Sequence, residues 1–237
     1  MTEADWNSST DPHGMLTFLW HHGNLSARKA RLFAVACCRQ AWHLFRDEHT
    51  RRAVVVAEWD VDGLTNKEVV RVAARGVAGG ERVGRLRPLD VAPLRAAWVA
   101  LTMGRDSPGA SGATAPPLLD AISSAADLLA FVTSARDKER RNQAALLRDI
   151  FGPILFREVR IDPAWLAWNG GSVVKLAEAA YEHREMPSGT LDNARLGVLA
   201  DALEDTGCSN ADLLGHLHGP GLHVRGCFAL DAILGKN

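Results

Sequence analysis

Ser26-Ala-Arg-Lys-Ala-Arg-Leu-Phe-Ala-Val-Ala-Cys-Cys-Arg-Gln-Ala-Trp-His-Leu-Phe-Arg46 is the stretch that decides the fold class. Ala30, Phe33, Ala34, Cys37, Ala41 and Leu44 recur at three- and four-residue steps, the period of one apolar helix face. Ser26 stands where an N-cap belongs, able to accept an amide proton of the first turn. The spacing predicts a helix from Ser26 to about Arg46. Arg28, Arg39, His43 and Arg46 share its opposite side, with Leu32 and Val35 between them. Tyr181 is the single tyrosine of the chain, so strand-forming aromatics are scarce and a large sheet is disfavoured.

The same punctuation recurs in both directions from this segment. Asp11-Pro12 opens a short helix through Trp20 that Gly23 closes, and His21-His22 suit its negative end. A third helix covers Glu48 to Asp62 and stops at Gly63. Thr65 with Glu68 forms a capping box for a fourth, ending near Gly79-Gly80. Pro93 to Met103 can form another. Residues 104–117, rich in Gly, Pro, Ser and Ala, suit a flexible linker or loop.

Leu118 to Phe151 supports one long helix, or two joined near Thr133-Ser134, ended by Gly152-Pro153. Ile154 to Ile161 alternates loosely and is the one place for a short strand. Asp162-Pro163 begins a short helix carrying Trp165 and Trp168, closed by Gly170-Gly171. Ser172 caps the next, to about Glu185. Leu191 to Asp205 follows, closed by Gly207. Ser209 opens a short helix, and the last runs from His223 to Leu234. The expected fold is therefore all-α, a multi-helix bundle of about ten helices with at most one short strand segment. It is organised as residues 1–103, the linker at 104–117, and residues 118–237, which can also form one continuous domain.

Formal charge is −1, so no global field draws the chain to nucleic acid or an anionic membrane. No apolar run reaches the roughly 18 residues needed to span a bilayer. Met1 to Trp6 carries Glu3 and Asp5 and no apolar h-region, unlike a secretory signal. Cys37, Cys38, Cys208 and Cys227 lack the spacing of a secreted disulfide framework. The expected compartment is the cytoplasm.

Chemistry-bearing side chains gather near the C-terminus: His216, His218, His223, Cys227 and Asp231. On a helix, His223, Cys227 and Asp231 would form one stripe, and a His and a Cys one turn apart can share a metal. His216 or His218 would complete a tetrahedral zinc site across the Gly219-Pro220-Gly221 turn. The competing reading packs Cys227 in the core, with His223 hydrogen-bonded and Asp231 paired to an arginine. A Cys-His-Asp catalytic set from the same residues is disfavoured, because one stripe aims all three side chains the same way. The arginine face, continued by Arg51 and Arg52, can touch phosphate or simply stay solvated or salt-bridged. Trp165 and Trp168, three apart, suit either a core anchor or an interaction patch. The glycines match no phosphate-cradling loop, and neither His-Glu-x-x-His nor Gly-x-Ser-x-Gly occurs.

Several segments resemble a paralogous family of uncharacterised planctomycete bacterial proteins. They are Met1-Thr-Glu-Ala-Asp-Trp6, Arg31-Leu-Phe-Ala-Val-Ala-Cys-Cys-Arg39 with Trp42-His43, and Leu147-Arg-Asp-Ile-Phe-Gly152. Leu199-Ala-Asp-Ala-Leu203 and His223-Val-Arg-Gly-Cys227 with Asp231 complete the set. The resemblance implies a bacterial host and a single full-length unit, and it implies no chemistry. It singles out the second helix and the C-terminal segment for testing. The leading functional expectation is a non-catalytic helical interaction or adaptor module with a protein partner. The alternatives are a metal-binding protein or metal-dependent enzyme using His223 and Cys227, with zinc as the ion, and nucleic-acid binding through Arg28, Arg39 and Arg46.

Overall fold

The computed structural model describes residues 1–81 and 136–236 of the chain. The helix expected over Pro93 to Met103, the linker at 104–117 and residues 118–135 lie outside the described residues. Among the described residues there are eleven α-helices and no sheet. Among the described residues β-pairing is limited to two isolated bridges, Glu185 with Thr190 and Thr190 with Val224. The chain divides into two compact units, Ser9–Ala144 and Met1–Ser8 with Ala145–Asn237.

In the first unit, α2 (Pro12–His21) begins as its sequence requires. The Asp11 carboxylate accepts the Gly14 amide, and Pro12 takes the first turn, where a missing N–H costs nothing. α3 (Ala27–Gln40) is capped by Ser26, whose side chain accepts the Lys29 amide. It stops at Gln40, short of the expected Arg46. A 3₁₀ turn at Trp42–Leu44 follows, and Phe45 tucks into the core. α4 (Glu48–Val61) is capped by Asp47 and packs against both α3 and α5 (Lys67–Glu81). The cap of α5 is not the expected Thr65–Glu68 box. Asn66 accepts the Val69 amide at 3.0 Å, and Glu68 instead pairs with Arg71 on the exposed face.

The second unit opens with α1 (Glu3–Ser8), which buries Trp6 and which the start-and-stop signals did not pick out. α6 (Arg136–Phe151) ends at a 3₁₀ turn, Gly152–Leu155. The short strand expected over Ile154 to Ile161 does not form: the segment is 3₁₀ turn and irregular chain. Gly152 has φ +54°, and a Cβ there would clash with the ring of Phe228, so the turn needs a glycine on two counts. α7 (Pro163–Ala167) is capped by Asp162 and passes into a 3₁₀ turn at Trp168–Gly170. Ser172 is the first residue of α8 (Ser172–Glu182) rather than its cap, and its hydroxyl donates to the Asn169 carbonyl.

α9 (Asn193–Asp205) and α10 (Ala211–His218), capped by Asp192 and Asn210, form a hairpin closed around Gly207. Leu196, Leu199 and Leu203 of α9 are all fully buried, each contributing about 1.5–3 kcal/mol by leaving water. They meet Val173 and Ala177 of α8, Leu213 and Leu217 of α10, and α11 (Phe228–Ile233) in one apolar cluster.

The last helix is much shorter than the expected His223 to Leu234. Gly226 has φ +98°, open to glycine and strained for other residues, so the helix cannot extend back through it. His223 to Cys227 is instead a turn, with the Cys227 amide bonded to the Val224 carbonyl. No helix among the described residues is long and apolar enough to cross a membrane.

Candidate metal centre

Four polar side chains meet inside the second unit: Asp149, His216, His223 and Cys227. Asp149 sits in the last turn of α6, beside Leu146, Leu147, Ile150 and Phe151, all buried. A carboxylate there faces both an apolar surround and the negative end of the helix. Its partners offset that cost. Oδ2 accepts the Val224 amide at 2.9 Å, and Oδ1 lies 2.9 Å from Nδ1 of His223 and 3.1 Å from Nε2 of His216.

His216 is in the last turn of α10, and its Nε2 also lies 3.2 Å from the Cys227 sulfur. His223 follows the Gly219-Pro220-Gly221 turn, with its Nε2 at 3.4 Å from the Gly219 carbonyl. Cys227 occupies the N-cap position of α11 and is wholly shielded from solvent.

The donor atoms all lie within 4.8 Å of one another. Zinc bonds of about 2.0–2.3 Å give tetrahedral ligand–ligand edges of about 3.3–3.6 Å. The three close approaches of 2.9, 3.1 and 3.2 Å fall just inside that figure, so those pairs would open by a few tenths of an ångström around an ion.

Which ring nitrogen faces which partner separates two chemistries. In a nucleophile–base–acid triad the histidine turns opposite ring nitrogens to the nucleophile and the acid. Here Nε2 of His216 faces both Asp149 and Cys227, and Oδ1 of Asp149 faces both imidazoles. The polar atoms converge on a point, as ligands do. The outer nitrogen of His223 at a backbone carbonyl is the usual second contact of a ligating histidine.

The electrostatics of the cluster follow from burial and neighbouring charge. Burial pushes the Cys227 thiol well up, the Asp149 charge adds to the effect, and the amides of Ala229 and Leu230 oppose it. Burial would also raise Asp149, but hydrogen bonds and charge from His216 and His223 outweigh it and hold the carboxyl below its ordinary value. For His223 burial acts downward, and the bond and charge of Asp149 win, so its pKa rises.

Tyr181 and Asp231 brace the site from behind. The Tyr181 hydroxyl donates to Asp231 Oδ1 at 2.8 Å and accepts the Gly226 amide at 3.2 Å, while the Asp231 amide bonds the Cys227 carbonyl.

His218 does not join this cluster. It is two residues from His216, about 200° around the helix, and reaches Asp201 and Glu204 on the exposed side of α9 at 3.8 and 3.7 Å. Asp231 leaves the expected stripe because the helix begins only after Cys227. The missed member is Asp149. Its signal was an acid in the last turn of a helix, set in the apolar run Leu146-Leu147 to Ile150-Phe151.

The remaining sequence candidates are dispersed. Arg28 pairs with Asp62 at 3.1 Å, Arg31 with Asp60 at 2.6 Å, and buried Arg39 with buried Glu58. His43 and Arg46 are exposed beyond the end of α3, so the arginine face does not continue onto them. Trp165 is half-buried against the α8–α11 cluster. Trp168 is half-buried too, but it lies past the end of α7 with extended ψ, so the two do not share a helical face.

Fold and site together describe an all-α protein with a buried Asp/His/His/Cys cluster. Compared with known proteins, the chain matches no family model, no curated protein and no solved structure.

Proposed function

We propose that this chain is a metal-binding protein and that Asp149, His216, His223 and Cys227 hold a zinc-type ion. The observation that carries the reading is the convergence of their donor atoms, with one nitrogen of His216 facing both the carboxylate and the thiol. One soft sulfur, two imidazoles and one carboxylate suit zinc better than magnesium or calcium, which take oxygen donors. The ion would join the end of α6, the end of α10 and the turn before α11, segments with 66 residues of chain between Asp149 and His216. Binding would then supply folding free energy directly.

Protein purified without chelator is expected to carry about one equivalent of zinc by elemental analysis, and Cys227→Ser to carry far less. Absence of any bound transition ion, together with no thermal shift on adding zinc, would overturn the proposal.

The interaction-module reading keeps one observation in its favour. In the first unit, Trp59 is 45% exposed. With Trp42, Val55, Val69, Arg51 and Arg52 it lines a cleft of about 510 Å³. A pulldown in which Trp59→Ala loses a partner that the unsubstituted chain retains would support that reading. Identical recovery from both would count against this cleft.

A further inference from the structure

Three of the four donors, Asp149, His216 and His223, line one cleft of about 240 Å³. Cys227 is not on its wall and has no exposure, so the sulfur approaches the cluster from the protein side. The His216 side chain is 19% exposed, against 2% for Asp149 and His223, which makes it the donor nearest solvent. The wall continues through Arg148, Gly215 and Gly219. Gly215 leaves the mouth open, since nothing lies within 4 Å of where its Cβ would stand.

Arg148 is the cation of this cleft. It precedes Asp149 in the chain, and its Nη1 donates to the Trp6 carbonyl at 3.1 Å, which restrains the side chain. A divalent ion with one carboxylate and one thiolate has no net charge, and Arg148 places a guanidinium-bearing residue on the cleft wall. Its planar guanidinium matches carboxylate and phosphate oxygens.

We propose that the cleft admits a small oxyanion, a phosphate or a short-chain carboxylate, which binds the metal as a fifth ligand and is held by Arg148. The inference rests on the metal reading above. Catalytic zinc sites can expand from four ligands to five, and the cleft gives an exogenous group a path to this cluster. The cleft is smaller than the roughly 300–1,000 Å³ of pockets for drug-sized ligands, which limits the occupant to a few heavy atoms.

Cobalt(II) loading separates the two readings. Tetrahedral d–d bands with a sulfur-to-cobalt charge-transfer band establish the ion at Cys227 before any anion is added. Phosphate, acetate and chloride are then titrated separately to about 10 mM, enough to saturate a ligand with a Kd of about 1 mM. Phosphate or acetate is expected to weaken the d–d bands several-fold, with chloride inert. The response to phosphate against acetate identifies which oxyanion the site takes.

Arg148→Gln should weaken the anion response about tenfold or more while leaving the anion-free spectrum intact. Gly215→Leu, which adds bulk at a cleft-lining position that is not a donor, should weaken the response several-fold and serves if Arg148→Gln fails to fold. A tetrahedral spectrum unmoved by any anion overturns the inference and leaves the metal site standing, as does a response undiminished in both variants. Failure to bind cobalt overturns both.

Discussion

Removing a donor and removing a packing contact give different signatures at single residues. Asp149→Asn keeps the shape of the carboxylate and discards its charge. Zinc affinity is expected to fall by more than the roughly 10–100-fold typical of outer contacts to a site, read by competition with a chromophoric chelator. An unchanged affinity would place Asp149 outside the site. Cys227 adds a pH signature. Its thiol is held well above the ordinary value, chiefly by burial, so zinc must displace a proton when it binds. Below the thiol pKa the affinity should therefore rise by about tenfold per pH unit, and Cys227→Ser should flatten that slope. Gly152→Ala perturbs packing instead, because the new Cβ meets Phe228 at a positive φ. It is expected to cost about 1–3 kcal/mol in urea unfolding.

Two contrasts belong to the elements. His216 and His218 share α10 but face opposite ways, so His216→Ala should lose zinc while His218→Ala retains it. Equal loss from both would mean that α10 is rotated from the orientation described here. Between α3 and α4, Arg39 and Glu58 are buried together, the guanidinium also lying 5.3 Å from the centroid of the Trp42 ring. Arg39→Ala removes the guanidinium that faces the buried Glu58 carboxylate, at a cost of about 3–5 kcal/mol. The paired replacement Arg39→Met with Glu58→Leu removes both charges and should restore most of that loss by chemical denaturation. The caps show what a short sequence window can determine at this scale. Asp11, Ser26 and Asp162 act within three residues of themselves, so local spacing reveals them. The last helix was misjudged because periodicity does not register that Gly226 adopts φ +98°.

For the whole molecule, the ion should act where its ligands are. Chelation is expected to speed amide exchange in residues 145–151 and 213–231, with exchange in α3 and α4 unchanged. Zinc at about 1,000 times its Kd would stabilise the folded state by about 4 kcal/mol. Uniform acceleration along the chain would show that the site governs more than its own surroundings.

The sequence alone determined that this is a helical protein, because apolar residues at three- and four-residue steps and the caps between them are local features that each segment carries by itself. It also brought His216, His223 and Cys227 forward, since eleven residues of chain hold them near one another. Only the tertiary structure decided that Asp149, from a helix 67 positions earlier, completes the cluster, and that Arg28 and Arg39 are matched by Asp62, just past α4, and by Glu58 within it. Those pairings follow from how helices pack. A side chain's partner across a helix contact depends on the direction and rotation of both helices, which no local window records.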